Sequence, residues 1–268
     1  PKSKKIQKPK QVEINRINCM EFERSAWKPP DDLTVSEWAD RYRILDIEVS
    51  PEPGPWRTSR VPYTKEPMDA FTDPAIEKIV LVWGTQAAKT SVIENSIGYL
   101  VCEDPGPAMV VYPSADLAEH ISDKRLSPMF RSTPQIKKKW DEGRSKRLEI
   151  QFAEMYLKLA GSNSPSQLSS SPIRYLFMDE TDKYPVNSGS EANPLKLATE
   201  RTKNFHDKKI VLTSTPTTCE KHIWKELEGA DILKRFYVPC PHCNAYQTLK
   251  FSMNAKDVKG GVRWLGGK

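Results

Sequence analysis

The sequence predicts an α/β fold in which a mostly parallel sheet is covered by helices. Two observations carry that prediction. Short, continuous apolar runs recur along the chain (KIVLVW, AMVVYP, IRYLFM, KIVLTS), as strands buried on both faces require. Between them lie segments whose apolar residues return at helical spacing, and strand alternating with helix is the signature of parallel strands joined by crossovers. No internal repeat is present.

Residues 1–32 form a basic, Pro/Lys-rich arm with little periodic hydrophobicity, expected to be a solvated flexible tail. Thr34 followed by Glu37 is a capping-box pattern, and Trp38, Ala39 and Tyr42 supply the apolar stripe of a short helix. SPEPGPWRTSRVPY reads as a loop. KIVLVW is the first long strand, and Val92, Ile93, Ile97, Leu100 and Val101 mark the helix after it. AMVVYP is the next strand. Ser114 caps a helix carrying Leu117, Ala118, Ile121 and Leu126. Lys137 to Arg147 is polar and basic and reads as a surface excursion. RLEIQF and MYLKLA are strands of a hairpin. IRYLFM and KIVLTS are buried strands with a helix between them near Leu195 to Arg201.

The 268 residues carry 41 Lys and Arg against 35 Asp and Glu, a formal charge of +6 that suits an anionic partner without naming it. With 38% hydrophobic and 28% charged residues, wholesale disorder is excluded. No apolar run approaches the roughly 18 residues of a membrane span, and the basic start lacks the apolar stretch of a secretory signal. Five cysteines are too few for a disulfide scaffold, so a soluble protein of a reducing compartment is expected.

A strand, a tight loop and a helix form the setting in which backbone N–H groups and a helix N-terminus cradle phosphates. The loop here is WGTQAAKTS. Lys89 and Thr90 match the end of G-x-x-x-x-G-K-[ST], whereas Trp83 and Ala88 occupy its glycine positions. Lys89 would reach the β- and γ-phosphates and Thr90 would ligate Mg²⁺. IRYLFMDETD places Asp179 and Glu180 at a strand's C-terminal end, where one carboxylate can hold Mg²⁺ and its neighbour can activate a water. IVLTSTPTT runs a third strand into Thr213, Ser214 and Thr215, either as a sensor of the γ-phosphate or as turn chemistry before Pro216.

LTVSEWADRYRIL, EPGPWRTSRVPYTKEPMDAF, QAAKT, SSSPIRYLFMDETDKYP, STPT and VPCPHC occur in the order seen in the large subunit of phage terminases, lambda-type GpA family, which the chain resembles from about Leu33 to Trp264. The resemblance implies a RecA-like P-loop NTPase of the additional-strand, catalytic-glutamate type spanning residues 33–238. It implies ATP hydrolysis coupled to packaging double-stranded DNA, a homo-oligomeric ring, a portal protein and a small terminase subunit as partners, and action in the host cytoplasm on the viral procapsid. Readings as a helicase-like translocase or a non-enzymatic DNA-binding adaptor stand beside it.

By the same resemblance, Gly84, Thr85, Gln86, Ala87, Ala88 and Lys89 bind ATP, Thr90 and Asp179 hold Mg²⁺, and Glu180 is the catalytic base. Ser214 and Thr215, with Thr213 beside them, form the coupling segment. The family usually has glycine at Ala88. Trp56 and Tyr63 lie where related motors stack adenine, with core or loop packing as the alternative. Arg125 and Arg201 are candidates for the arginine that neutralises transition-state charge. Residues 239–268 hold Cys240 and Cys243, a C-x-x-C turn that is half of a zinc ribbon. The implied completion is a second pair downstream, followed by a nuclease region, so that this chain is a motor-domain piece. Cys219 and His222 offer a local alternative.

Overall fold

A computed structural model of the chain describes residues 32–189, 193–218 and 221–248. The expected arm falls, except for Asp32, outside the described residues, as do residues 249–268 of the expected knuckle segment. All elements below belong to the unit Leu33–Lys268.

Helix α1 (Val35–Tyr42) starts at the predicted capping box: the Thr34 hydroxyl accepts the Glu37 N–H while the Thr34 N–H donates to the Glu37 carboxylate. Its buried Trp38 crosses helix α3 (Lys89–Cys102) at Gly98. A Cβ there would stand 2.1 Å from Trp38 Cη2, so the indole fits only against glycine. The stretch between α1 and α3 is more ordered than a plain loop. β1 (Ile44–Leu45) pairs antiparallel with β2 (Gly54–Pro55), and two 3-10 turns (Thr58–Arg60, Pro62–Thr64) lead into α2 (Lys65–Thr72).

Seven strands build the main sheet: β3 (Lys78–Val82), β4 (Ala108–Tyr112), β5 (Trp140–Lys146), β6 (Glu149–Phe152), β7 (Tyr156–Gly161), β8 (Tyr175–Met178) and β9 (Lys209–Ser214). Their order is β3-β9-β8-β4-β7-β6-β5. The first five in that order run parallel, and β6 and β5 complete the sheet antiparallel. β9 therefore stands between the strand that enters the phosphate loop and the strand that ends in Asp179, which is the additional-strand, RecA-like arrangement. The predicted hairpin is β6–β7. The polar segment expected as a surface excursion instead contains β5, an edge strand with a register shift between Asp141 and Lys146. Backbone pairing at an edge needs no apolar face, so charged residues hid the strand.

Alternation along the buried strands divides the core in two. Val110, Tyr175, Phe177 and Val211 face one side with Trp38, Met68 and Ile93 from α1, α2 and α3. Met109, Val111, Leu176, Met178, Ile210 and Leu212 face the other, with residues of α7 (Pro165–Leu168), α8 (Pro194–Glu200) and α9 (His222–Glu228). Each such side chain stabilises the fold by about 1.5–3 kcal/mol on burial, which fixes the strand register and so the level at which the strands end. Ser114 caps α4 (Ala115–Ile121) as predicted. The helix then passes through a π-helical turn (Ser122–Leu126) into α5 (Ser127–Ser132) and α6 (Pro134–Lys137). β10 (Val238–Pro239) and β11 (Tyr246–Gln247) form a separate small hairpin. No helix among the described residues is long and apolar enough to cross a membrane.

Candidate nucleotide site

The parallel register aligns Val82 with Ser214 and Leu212 with Met178, so β3, β9 and β8 end together and their outgoing loops share one edge of the sheet. Ligands of open α/β sheets bind at such an edge. The loop from β3 to α3 has two left-handed residues, Gln86 (φ 55°) and Ala88 (φ 56°). Left-handed residues in a loop turn backbone N–H groups toward a common concavity, a geometry suited to anions. Ala88 adopts the conformation that a glycine would take freely, at a cost of about 1–2 kcal/mol for its methyl group.

Lys89, at the first turn of α3, is buried, and its ammonium is held by three acceptors: Gly84 O at 2.7 Å, Thr215 Oγ1 at 2.9 Å and Trp83 O at 3.3 Å. Next to it, Thr90 Oγ1 donates to Asp179 Oδ2 at 3.1 Å, and Thr213 Oγ1 donates to Asp179 Oδ1 at 2.5 Å. Asp179 is buried, and burial pushes its carboxyl above the ordinary range; the neighbouring Glu180 charge adds to this while the Thr213 and Thr90 bonds oppose it. A buried carboxylate with that bias is one that a cation would relieve. The donor set fits Mg²⁺, which commonly takes one or two carboxylates plus substrate phosphates instead of an all-protein cage. Thr90 and Asp179 are the residues that would hold it.

Glu180 breaks the strand at once. Its backbone is left-handed (φ 57°, ψ 45°) and caps a 3-10 turn, Thr181–Lys183. The half-buried carboxylate lies 3.4 Å from Lys183 Nζ. Two residues on, buried Asp182 ties this turn to the end of β9 and beyond. Its N–H donates to Ser214 Oγ, while its carboxylate accepts from the Thr217 N–H and hydroxyl and from the Ile223 N–H at 2.9 Å. Nothing in the sequence pattern singled out Asp182, because a second acid beyond a strand end reads as a solvent-facing residue.

The loop Gly84, Thr85, Gln86, Ala87 and Ala88 thus meets Lys89, Thr90, Asp179, Glu180, Thr213, Ser214 and Thr215 at one edge. The other expected residues are placed differently. Tyr63 adjoins the loop, its ring edge-on to Trp83 at 5.4 Å and to Phe236 at 5.8 Å. Trp56 does not line the site: it is buried in the core with Nε1 donating to Thr58 Oγ1, so packing occupies its ring faces. Arg201 lies after α8, where its carbonyl accepts the Ile173 N–H and its Nη1 donates to Ser169 O. That is the entry end of β8, and Asp179 is at the exit. Arg125 is ion-paired to Glu94 of α3 at 2.8 Å.

Cys240 and Cys243 lie in the turn between β10 and β11, where Asn244 is left-handed. The Cys243 and His242 N–H groups pull the partly exposed Cys240 thiol below its ordinary value. Among the described residues no group of three or more His, Cys, Asp or Glu is placed to hold a metal ion. Cys219, needed for the local four-ligand alternative, lies outside the described residues.

Comparison with known proteins bears on this site. Residues 50–264 match the family described as phage terminase large subunit gpA, ATPase domain. The chain is 24% identical over 245 residues to the terminase large subunit of Enterobacteria phage P21 and 22% identical to that of Escherichia phage lambda. Each alignment covers 88% of this chain and 37% of the relative, so the chain spans well under half of their length. The crystal structure of the HK97 bacteriophage large terminase superposes with a TM-score of 0.58 at 15% identity, covering 73% of this chain and 40% of that one. The edge that gathers Lys89, Thr90 and Asp179 is thus found in a chain that belongs to the ATPase-domain family of phage terminase large subunits.

Proposed function

We propose that this chain is an ATP-hydrolysing motor unit that drives double-stranded DNA into a viral capsid. The observation that carries the reading is the convergence of Lys89, Thr90, Asp179 and Thr215 from three adjacent strand ends. On ATP binding, the Lys89 ammonium exchanges its carbonyl acceptors for β- and γ-phosphate oxygens, and the loop N–H groups of Gly84 to Ala88 hold the phosphate chain. Mg²⁺, when bound, neutralises charge on the phosphate oxygens. Glu180 accepts a proton from the attacking water at a carboxylate oxygen as that water adds in line to the γ-phosphorus, whose bond to the β–γ bridging oxygen breaks to release ADP.

Coupling follows from the same contacts. Lys89 Nζ donates to Thr215 Oγ1, so a move of the ammonium toward phosphate frees the Thr215 hydroxyl. Thr213 to Thr215 and Asp182 then carry the change toward α9. Tyr63 is the base-side aromatic. Arg125 is the arginine that supplies charge in the transition state.

The partners we assign are double-stranded DNA, a portal protein and a small terminase subunit, with further copies of the chain in a ring on a procapsid in the host cytoplasm. Residues 1–32 act as an arm, 33–238 as the motor, and 239–268 as a joint to downstream regions. The test is ATP binding and phosphate release by the Lys89→Ala and Glu180→Gln variants. Loss of binding or turnover in the first and loss of turnover alone in the second support the reading; parental turnover by Glu180→Gln overturns the assignment of the base.

A further inference from the structure

Glu94 lies on α3 one helical turn beyond Thr90 and is 5% exposed. A carboxylate that deep is costly unless paired, and it is paired twice. Oε2 accepts from Arg43 Nη2 at 3.2 Å, and Oε1 accepts from Arg125 Nε at 2.8 Å. Arg43 is buried and also donates to Ile44 O; burial pulls its basicity down despite Glu94. Arg125 is different. Its side chain is 35% exposed, and the Glu94 charge raises its basicity, with burial opposing and Tyr112 and Asp179 adding to the rise. Two guanidinium groups share one carboxylate, so the cluster keeps an excess of positive charge.

Backbone placement sets that excess close behind the nucleotide edge, one helical turn beyond Thr90. Arg125 sits in the π-helical turn Ser122–Leu126, and such turns re-aim side chains and recur at functional sites. The turn follows α4, which leaves β4 at the sheet edge where the Val111 carbonyl accepts the Asp179 N–H at 3.0 Å. Glu94 grips Arg125 from the other side, on the helix that begins with Lys89 and Thr90. The contact uses Nε and not the Nη1/Nη2 fork, the pair of donors that matches two oxygens of a phosphate.

We propose that Glu94 is a positioning residue that holds Arg125 at the magnesium end of the nucleotide site of its own subunit, where the Nη fork meets γ-phosphate oxygens. The proposal rests on the nucleotide-site reading and adds to it a residue that acts through another.

The experiment compares the chain with its Arg125→Ala, Glu94→Gln, Glu94→Gln/Arg125→Ala and Lys89→Ala variants, reading ATP affinity by calorimetry and hydrolysis by single-turnover phosphate release. Arg125→Ala is expected to lower the hydrolysis rate by about 10³-fold, in the range for arginines of this role, while ATP affinity changes little. Glu94→Gln is expected to lose about tenfold or more, and the double variant should be no slower than Arg125→Ala, because two residues acting as a unit are not additive. Since Glu94→Gln leaves Arg43 unpaired, Arg43→Met/Glu94→Gln is the folding control and should show the same loss. A mixture of Lys89→Ala and Arg125→Ala chains should stay inactive. Parental hydrolysis by Arg125→Ala, multiplicative losses in the double variant, or activity restored on mixing would each overturn the proposal. If the parent binds no ATP, or Lys89→Ala binds it as the parent does, the nucleotide-site reading itself falls.

Discussion

Thr90 and Asp179, 89 positions apart in the chain, are joined by a 3.1 Å hydrogen bond between hydroxyl and carboxylate. A parallel sheet produces this pairing because β8 reaches the loop of β3 only across β9, whose Thr213 binds the other Asp179 oxygen. Both carboxylate oxygens are therefore satisfied without a cation, at the cost of burying the charge.

That cost gives a signed pH prediction. Asp179 has a raised carboxyl in the fold, so the folded state binds a proton more readily than the unfolded one. Its contribution is favourable below the ordinary carboxylate range and is lost as pH rises through the elevated value. At pH 7.5, Asp179→Asn should melt higher than the parent without nucleotide, and the advantage should shrink at pH 4. Adding Mg²⁺ and ATP should raise the parent's melting temperature by more than the variant's, which keeps Lys89 and the loop but loses the carboxylate for Mg²⁺. Differential scanning fluorimetry across pH, with and without nucleotide, measures both arms.

Lys89 and Glu180 separate binding from chemistry. Lys89→Ala removes the charge that faces Gly84 O and Thr215 Oγ1 and should abolish ATP binding or turnover. Glu180→Gln keeps shape and hydrogen-bonding capacity but cannot take a proton, so it should bind ATP at parental affinity and hydrolyse it about 10²–10⁴-fold slower. Calorimetry paired with a phosphate-release assay distinguishes the two effects.

Ala88 offers a gain. With φ 56° and ψ 21° it carries a methyl group in a left-handed conformation that glycine adopts without penalty. Ala88→Gly should stabilise the fold by about 1 kcal/mol, a rise of about 2–4 °C in melting temperature for a unit this size. An unchanged or lower melting temperature would mean that the loop relaxes around alanine.

Asp182 should behave as a structural hub. Replacing it with Ala strips the buried Ile223 N–H and the more exposed Thr217 N–H of their acceptor, with an expected loss of about 1–3 kcal/mol in urea unfolding. Loss of those anchors should let the turn move and take the residue-182 N–H from Ser214 Oγ, so turnover at saturating ATP should fall too.

Thiol reactivity should follow the two cysteine environments. Cys240 is partly exposed, and adjacent N–H groups draw its thiol below the ordinary value, whereas burial pushes the Cys102 thiol up to about 11. Iodoacetamide at pH 7.5, with peptide mapping, should label Cys240 well before Cys102.

Much of this was legible in the residues. KIVLVW, AMVVYP, IRYLFM and KIVLTS contain four of the five parallel strands because an unbroken apolar run has few other uses, and Thr34 with Glu37 marked a helix start to the residue. The chemistry-bearing positions at the ends of those runs followed, since strand ends in a parallel sheet share one edge. What stayed hidden depended on partners distant in sequence. β5 looked like a charged loop because, Trp140 apart, an edge strand pairs without an apolar face. Glu94 looked like one more polar residue on a helix; only the fold brings Arg43 and Arg125 to it. Trp56 and Arg201 were nominated by type and neighbourhood, and tertiary packing sent one into the core and the other to the far end of β8.

The two margins of the sheet are unlike. β3 at one end carries the phosphate loop, while β5 at the other is bent by its irregular register and studded with Asp141, Glu142, Arg144 and Lys146. Such a border resists docking by a strand from a neighbouring molecule, so many copies can crowd together without fusing their sheets.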